Sequence, residues 1–126
     1  MIRKVSVPGK SLTGPVSLPA SKSAAHRAIL CASLAKGISH LSNFSFSQDM
    51  EATCRAVEAL GVKTSLTGDT LTVDSRSLFA PSQAVLDCGE SGSTLRFLIP
   101  TAAAGGVRAE FTGRRHITAV RQTRRL

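Results

Sequence analysis

The sequence predicts an α/β fold, a βαβαββ unit followed by about half of a second. Three observations carry this. Gly and Pro punctuate the chain regularly, the apolar spacing between them switches between strand and helix periods, and the pattern starts again after Pro81. At 126 residues the chain has room for one small domain or less.

The first strand is expected near Val16 to Leu18. A helix from about Lys22 to Lys36 follows, with Gly37 closing it as a left-handed C-terminal cap. Its apolar residues, from Ala25 through Ala35, leave almost no polar face, so the helix should be buried all round. Ile38 to Leu41 reads as the second strand. The second helix spans about Gln48 to Leu60, with Ser47 as N-cap, Met50, Cys54 and Val57 on the buried stripe, a Glu51–Arg55 pair on the wet face and Gly61 as terminator. Val62 to Leu66 and Thr70 to Val73 alternate in polarity around Thr67, Gly68 and Asp69, which is a hairpin signal.

After a loop through Pro81 come a strand near Val85 to Cys88, a Gly-rich turn, a helix from about Ser91 to Ala104 and a strand from Val107 to Thr112. A shift of 69 residues places Arg27 on Arg96, Ile29 and Leu30 on Leu98 and Ile99, Gly37 on Gly106, and Ile38 on Val107. A repeat of this length points to duplication of a folding module, not to a solenoid.

The net charge of +8 is unevenly spread: residues 1–113 hold eleven Lys or Arg and all eight acids, and the other five Arg lie in residues 114–126. That basic tail is the one feature of a nucleic-acid-binding protein, and no Trp or Tyr interleaves it for base stacking. Nucleic acid is therefore not the expected partner. Cys31, Cys54 and Cys88 cannot all pair and none has C-x-x-C spacing, so they are expected reduced and no metal is expected. With no apolar leader in MIRKVSV and no apolar run of roughly 20 residues, the chain is expected to be cytoplasmic and off the membrane.

Two segments carry chemistry. The first helix opens Pro19-Ala20-Ser21-Lys22-Ser23, with Arg27 beyond and no acid in its first turns. Cations are the wrong sign for a helix N-terminus, which favours anions by about 0.3–1 kcal/mol. A phosphate gripped by free N–H groups, the Ser21 and Ser23 hydroxyls, Lys22 and Arg27 resolves the conflict. An ordinary Ser-capped helix with solvated cations is the alternative. The second helix, with Asp49 and Glu51 near its start, is the ordinary case. The other segment is Asp87-Cys88-Gly89-Glu90-Ser91-Gly92-Ser93-Thr94-Leu95-Arg96, a strand-to-helix turn whose glycines let backbone approach an anion. It is neither a P-loop nor a dinucleotide fingerprint, and a plain tight turn is the alternative.

LPASKSAAHRAILCASLAKG with LSNFSFSQDMEATCRAVEALGV resembles the N-terminal signature of the 3-phosphoshikimate 1-carboxyvinyltransferase (EPSP synthase) family, and LDCGESGSTLRFLIPTAAAGG resembles its second, Gly-rich signature. The likeness runs from about Ser6 to Gly113. The sister family acting on a UDP-amino sugar, UDP-N-acetylglucosamine enolpyruvyl transferase, typically has Lys-Asn where Lys22-Ser23 stands, and it is the second enzyme reading.

The resemblance implies the enolpyruvyl transferase fold, an inside-out α/β barrel of βαβαββ units. It implies transfer of the carboxyvinyl group of phosphoenolpyruvate to the 5-hydroxyl of shikimate 3-phosphate in aromatic amino acid biosynthesis, without a cofactor. By matching positions Lys22 would touch both substrates, Ser23 and Arg27 would hold shikimate 3-phosphate, and Gly92 would offer its backbone to phosphoenolpyruvate. Asp49 and Glu90 are the nearest carboxylates, while the family's main acid and base groups lie in later sequence.

The chain also departs from the family. Glu90-Ser91-Gly92-Ser93 stands for a common Asn-Ala-Gly-Thr, Phe97 for a common Pro, and His116 for a phosphoenolpyruvate-gripping Arg, with Arg115 an imperfect substitute. Three parts are expected: residues 1–15, which would join the other domain of a full enzyme; a partial N-terminal domain at 16–113; and an unrelated basic tail at 114–126. The expectation is a truncated product, inactive alone, with a missing C-terminal part supplied elsewhere if at all.

Overall fold

The computed structural model describes residues 3, 4, 6, 9, 13–16, 18 and 20–114. In chain order the elements are α1 (Lys22–Leu34), β1 (Ile38–Leu41), α2 (Gln48–Ala59), β2 (Lys63–Thr67), β3 (Thr70–Asp74), β4 (Gln83–Asp87), α3 (Gly92–Ala104) and β5 (Arg108–Thr112). Types and order follow the sequence reading, except for the first strand. Val16 and Leu18 lie outside any strand and are 79% and 83% exposed, and Ser17 lies outside the described residues. A strand persists only where a neighbour takes its backbone groups, and no described strand pairs with this segment.

β3 is the middle of an antiparallel sheet ordered β1-β3-β2. Its alternation puts Leu71 and Val73 inward and leaves Thr72 and Asp74 half-buried on the other face. Thr67 pairs with Thr70 across a two-residue turn, where Gly68 takes the positive φ of 61° that such a turn requires.

α2 is the central helix. Met50, Thr53, Cys54 and Val57 form one buried stripe and Ala52 and Ala56 add a second, leaving Glu51, Arg55 and Glu58 wet. It packs against α1 and β2 and against β4 and α3. Arg55 reaches Glu51 at 3.7 Å, as expected, and also Asp87 of β4 at 4.0 Å. Ser47 has the extended N-cap backbone, yet its side chain caps nothing and its Oγ is buried without a partner.

α1 is not buried all round. Ile29, Leu30, Ala32 and Ser33 are covered, while Cys31, Leu34 and Ala35 face solvent. Among the described elements α2, β1 and β3 make its main contacts, and the apolar pattern marks more surface than they cover. Gly37 is not the left-handed cap either. The hydroxyl and amide of Ser75 take up its backbone groups, and the left-handed position falls one residue earlier, on Lys36 at φ 53°.

β4 and β5 pair in parallel, Asp87 opposite Thr112, with α3 as the crossover. The repeat is visible in the backbone, but at a shift of 70: helix bounds, the caps Ser21 and Ser91, and the left-handed Lys36 and Gly106 all correspond at that spacing. The buried stripe keeps the shift of 69, matching His26, Ile29 and Ser33 with Leu95, Leu98 and Ala102. The mismatch of one residue, about 100° around a helix, reflects different surroundings. β1 pairs antiparallel in one sheet, β5 parallel in another.

Candidate anion site at two helix starts

Ser21 and Ser91 cap α1 and α3 in the same way. Each backbone is extended, and each side chain accepts from an amide three residues on, Ala24 at 3.3 Å and Thr94 at 3.2 Å. Neither helix has an acid in its first turn, whereas α2 has Asp49 and Glu51. The positive ends of these two helix dipoles thus have no acid on their own first turns.

Lys22 and Ser23 are exposed on the first turn of α1, and Arg27 is exposed four residues after Ser23, on the same face. Lys22 is not idle. Its Nζ lies 3.2 Å from Asp49 Oδ2, bringing one expected cation and one candidate carboxylate together across α1 and α2. Such an exposed pair is worth at most about 1 kcal/mol, so a dianion would compete readily for the ammonium. Glu90 stands exposed in the turn before α3, away from any ion pair among the described residues.

The turn before α3 lies at the carboxyl end of β4, level with the carboxyl end of β5, where open parallel sheets place their ligands. Gly89 sits at φ 56°, Gly92 opens α3 exposed, and the chain beyond β5 returns to the turn, the Arg114 amide donating to the Gly89 carbonyl at 2.7 Å. His116 and Arg115 lie outside the described residues.

A buried polar chain, absent from the sequence reading, joins the two starts. His26 Nδ1 lies 2.8 Å from Thr53 Oγ1, Thr53 Oγ1 2.7 Å from Thr94 Oγ1, and Thr94 Oγ1 2.7 Å from Ser91 Oγ. His26 reads from sequence as one more residue of the first turns, yet it is buried, and burial lowers its pKa below 6.5, with Asp49 opposing and Lys22 reinforcing the shift. One signal was available: His26 and Thr53 both fall on buried stripes of their helices, where a polar side chain needs a partner. Among the described residues no cluster of three or more His, Cys, Asp or Glu is placed to hold a metal, and no helix is long and apolar enough to cross a membrane. Cys31, Cys54 and Cys88 are free thiols, the last two buried and pushed up to about 11.

Fold and candidate site define an α/β chain with two acid-free, Ser-capped helix starts suited to anions. The family model for EPSP synthase (3-phosphoshikimate 1-carboxyvinyltransferase) matches residues 7–119, and the chain belongs to that family. The match takes in residues 114–119, the first part of the segment set apart above as a basic tail. A curated 3-phosphoshikimate 1-carboxyvinyltransferase of Clostridium kluyveri is 44% identical over 112 residues, covering 89% of this chain and 26% of the relative. One from Clostridium perfringens is 44% identical over 114 residues, 90% of this chain and 27% of its own, and one from Clostridioides difficile is 40% identical over 113 residues, 82% and 26%. The chain spans about a quarter of the length of the curated relatives it matches.

Proposed function

We propose that this chain supplies the N-terminal phosphate-gripping part of an EPSP synthase, the cytoplasmic enzyme that moves the carboxyvinyl group of phosphoenolpyruvate to the 5-hydroxyl of shikimate 3-phosphate and releases phosphate. The observation that carries the reading is the pair of matching helix starts, one bearing Lys22, Ser23 and Arg27 and the other Gly92. Both substrates are polyanions, and these starts offer cations, hydroxyls and free N–H groups to hold them. In this reading Lys22 exchanges Asp49 for substrate, Ser23 and Arg27 hold the phosphate of shikimate 3-phosphate, Ser21 keeps the helix start in shape, and Gly92 gives backbone access to phosphoenolpyruvate. Asp49 and Glu90 are assigned no proton-transfer role. Residues 1–15 belong with the other domain and residues 16–113 with the gripping part.

The test is a graft. Residues 7–113 replace the matching segment of the Clostridium kluyveri relative, and phosphate release is measured with both substrates. The reading predicts turnover in the graft, its loss with Lys22→Ala, and none from the purified 126-residue chain alone. A correctly folded graft without turnover contradicts it.

A further inference from the structure

We propose that Thr53 is a positioning residue which couples the two helix starts, so that an anion held at α3 alters the grip at α1. The inference rests on the anion reading above and assigns a role to a residue outside the gripping segments. α2 lies between α1 and α3, and Thr53, on its second turn, touches both neighbours through one oxygen.

Proton counting gives the coupling its form. Thr53 Oγ1 has three neighbours, His26 Nδ1, Thr94 Oγ1 and the Asp49 carbonyl at 3.0 Å, and only one proton. The carbonyl can only accept, so Thr53 donates there if every contact is to have a proton. His26 Nδ1–H then donates to Thr53; the Thr94 hydroxyl donates to Ser91, which leaves the Thr53–Thr94 contact without a proton unless Thr94 turns to Thr53 and Ser91 turns to Thr94. Only that turned order gives every contact a proton.

An anion in the turn before α3 that draws the Ser91 proton holds Ser91 as the acceptor from Thr94 and rules out the turned order. Thr94 then donates to Ser91, Thr53 donates to Thr94, and the Asp49 carbonyl loses its hydroxyl. Asp49 is the residue whose carboxylate holds Lys22 at the α1 start. Hydroxyls in series polarise one another and reorient together, which a chain of apolar contacts cannot do. His26 remains the Nδ1–H donor in both orders.

The test is an NMR titration of the full chain with inorganic phosphate, read at the Gly92 and Ser93 amides. Lys22→Ala is introduced in three backgrounds: unaltered, Thr53→Val and Thr53→Ser. Coupling predicts that Lys22→Ala changes the phosphate affinity read at α3 by about fivefold in the unaltered and Thr53→Ser backgrounds, and leaves it unchanged in Thr53→Val. An equal change in all three overturns the role of Thr53 and leaves the anion reading standing. Phosphate shifts absent at both starts overturn that reading, and the coupling with it. Should Thr53→Val not fold, the ¹⁵N shifts of His26 in the unaltered protein decide: a neutral Nδ1–H imidazole supports the proton order, and an Nε2–H imidazole overturns it.

Discussion

Thr53 and Thr94 meet hydroxyl to hydroxyl at 2.7 Å, both wholly buried, where α2 and α3 cross near their starts. A buried hydroxyl is stable only with partners, and here each depends on the other. Thr53→Val is nearly isosteric but strands His26 Nδ1 and leaves the Thr94 hydroxyl with Ser91 alone. It should cost about 1–3 kcal/mol, the desolvation of unpaired polar groups. Thr53→Ser keeps the oxygen and should cost less. Urea unfolding of the two variants checks the order, and equal losses would mean that the missing methyl, not the hydroxyl, matters.

Acid sensitivity should begin near neutrality. His26 binds its proton more weakly folded than unfolded, since burial opposes the imidazolium. Its contribution is therefore complete above the unfolded pKa of 6.5 and declines as pH falls through and below that value. Asp74 acts in a separate window. Arg76 holds its carboxyl at about 2, so its contribution stands above 3.8 and is lost as pH falls towards 2. Melts between pH 7.5 and 5 should show a falling Tm, and His26→Asn should flatten that slope.

Lys36 occupies the left-handed position that its counterpart in the repeat gives to Gly106. A side chain there costs roughly 1 kcal/mol against its own carbonyl, and glycine escapes this at some entropic cost. Lys36→Gly should raise stability by up to about 1 kcal/mol. The reverse substitution, Gly106→Lys, should lower it. Denaturant midpoints of both variants test the pair.

Much of the fold was legible because local rules agreed with their surroundings. Gly68 between two alternating runs could only be a hairpin, and the stripe of Met50, Cys54 and Val57 pointed inward as its spacing required. Where the surroundings decided, the sequence was silent. Nothing in Gly37 tells that Ser75, far along the chain, takes its backbone groups and moves the left-handed turn to Lys36. The strand expected at Val16 to Leu18 has the residues of a strand but no partner among those described. Lys22, Ser23 and Arg27 stood out through charge and spacing, and Gly92 through the family resemblance. His26, Thr53 and Thr94 did not, because a buried polar chain is a property of three helices meeting.

The start of α1 is either an anion site or a plain capped helix. Titrating shikimate 3-phosphate into the unaltered chain, Lys22→Ala and Arg27→Ala by NMR, with thermal melts alongside, tests this most directly. Each cation supplies a charged hydrogen bond of roughly 1.5–3 kcal/mol, so either change should weaken binding at least tenfold. Stability should stay within about 1 kcal/mol, because the exposed Lys22–Asp49 pair is weak and the helix dipole disfavours a cation there. Unchanged ligand shifts together with lost stability would contradict the account.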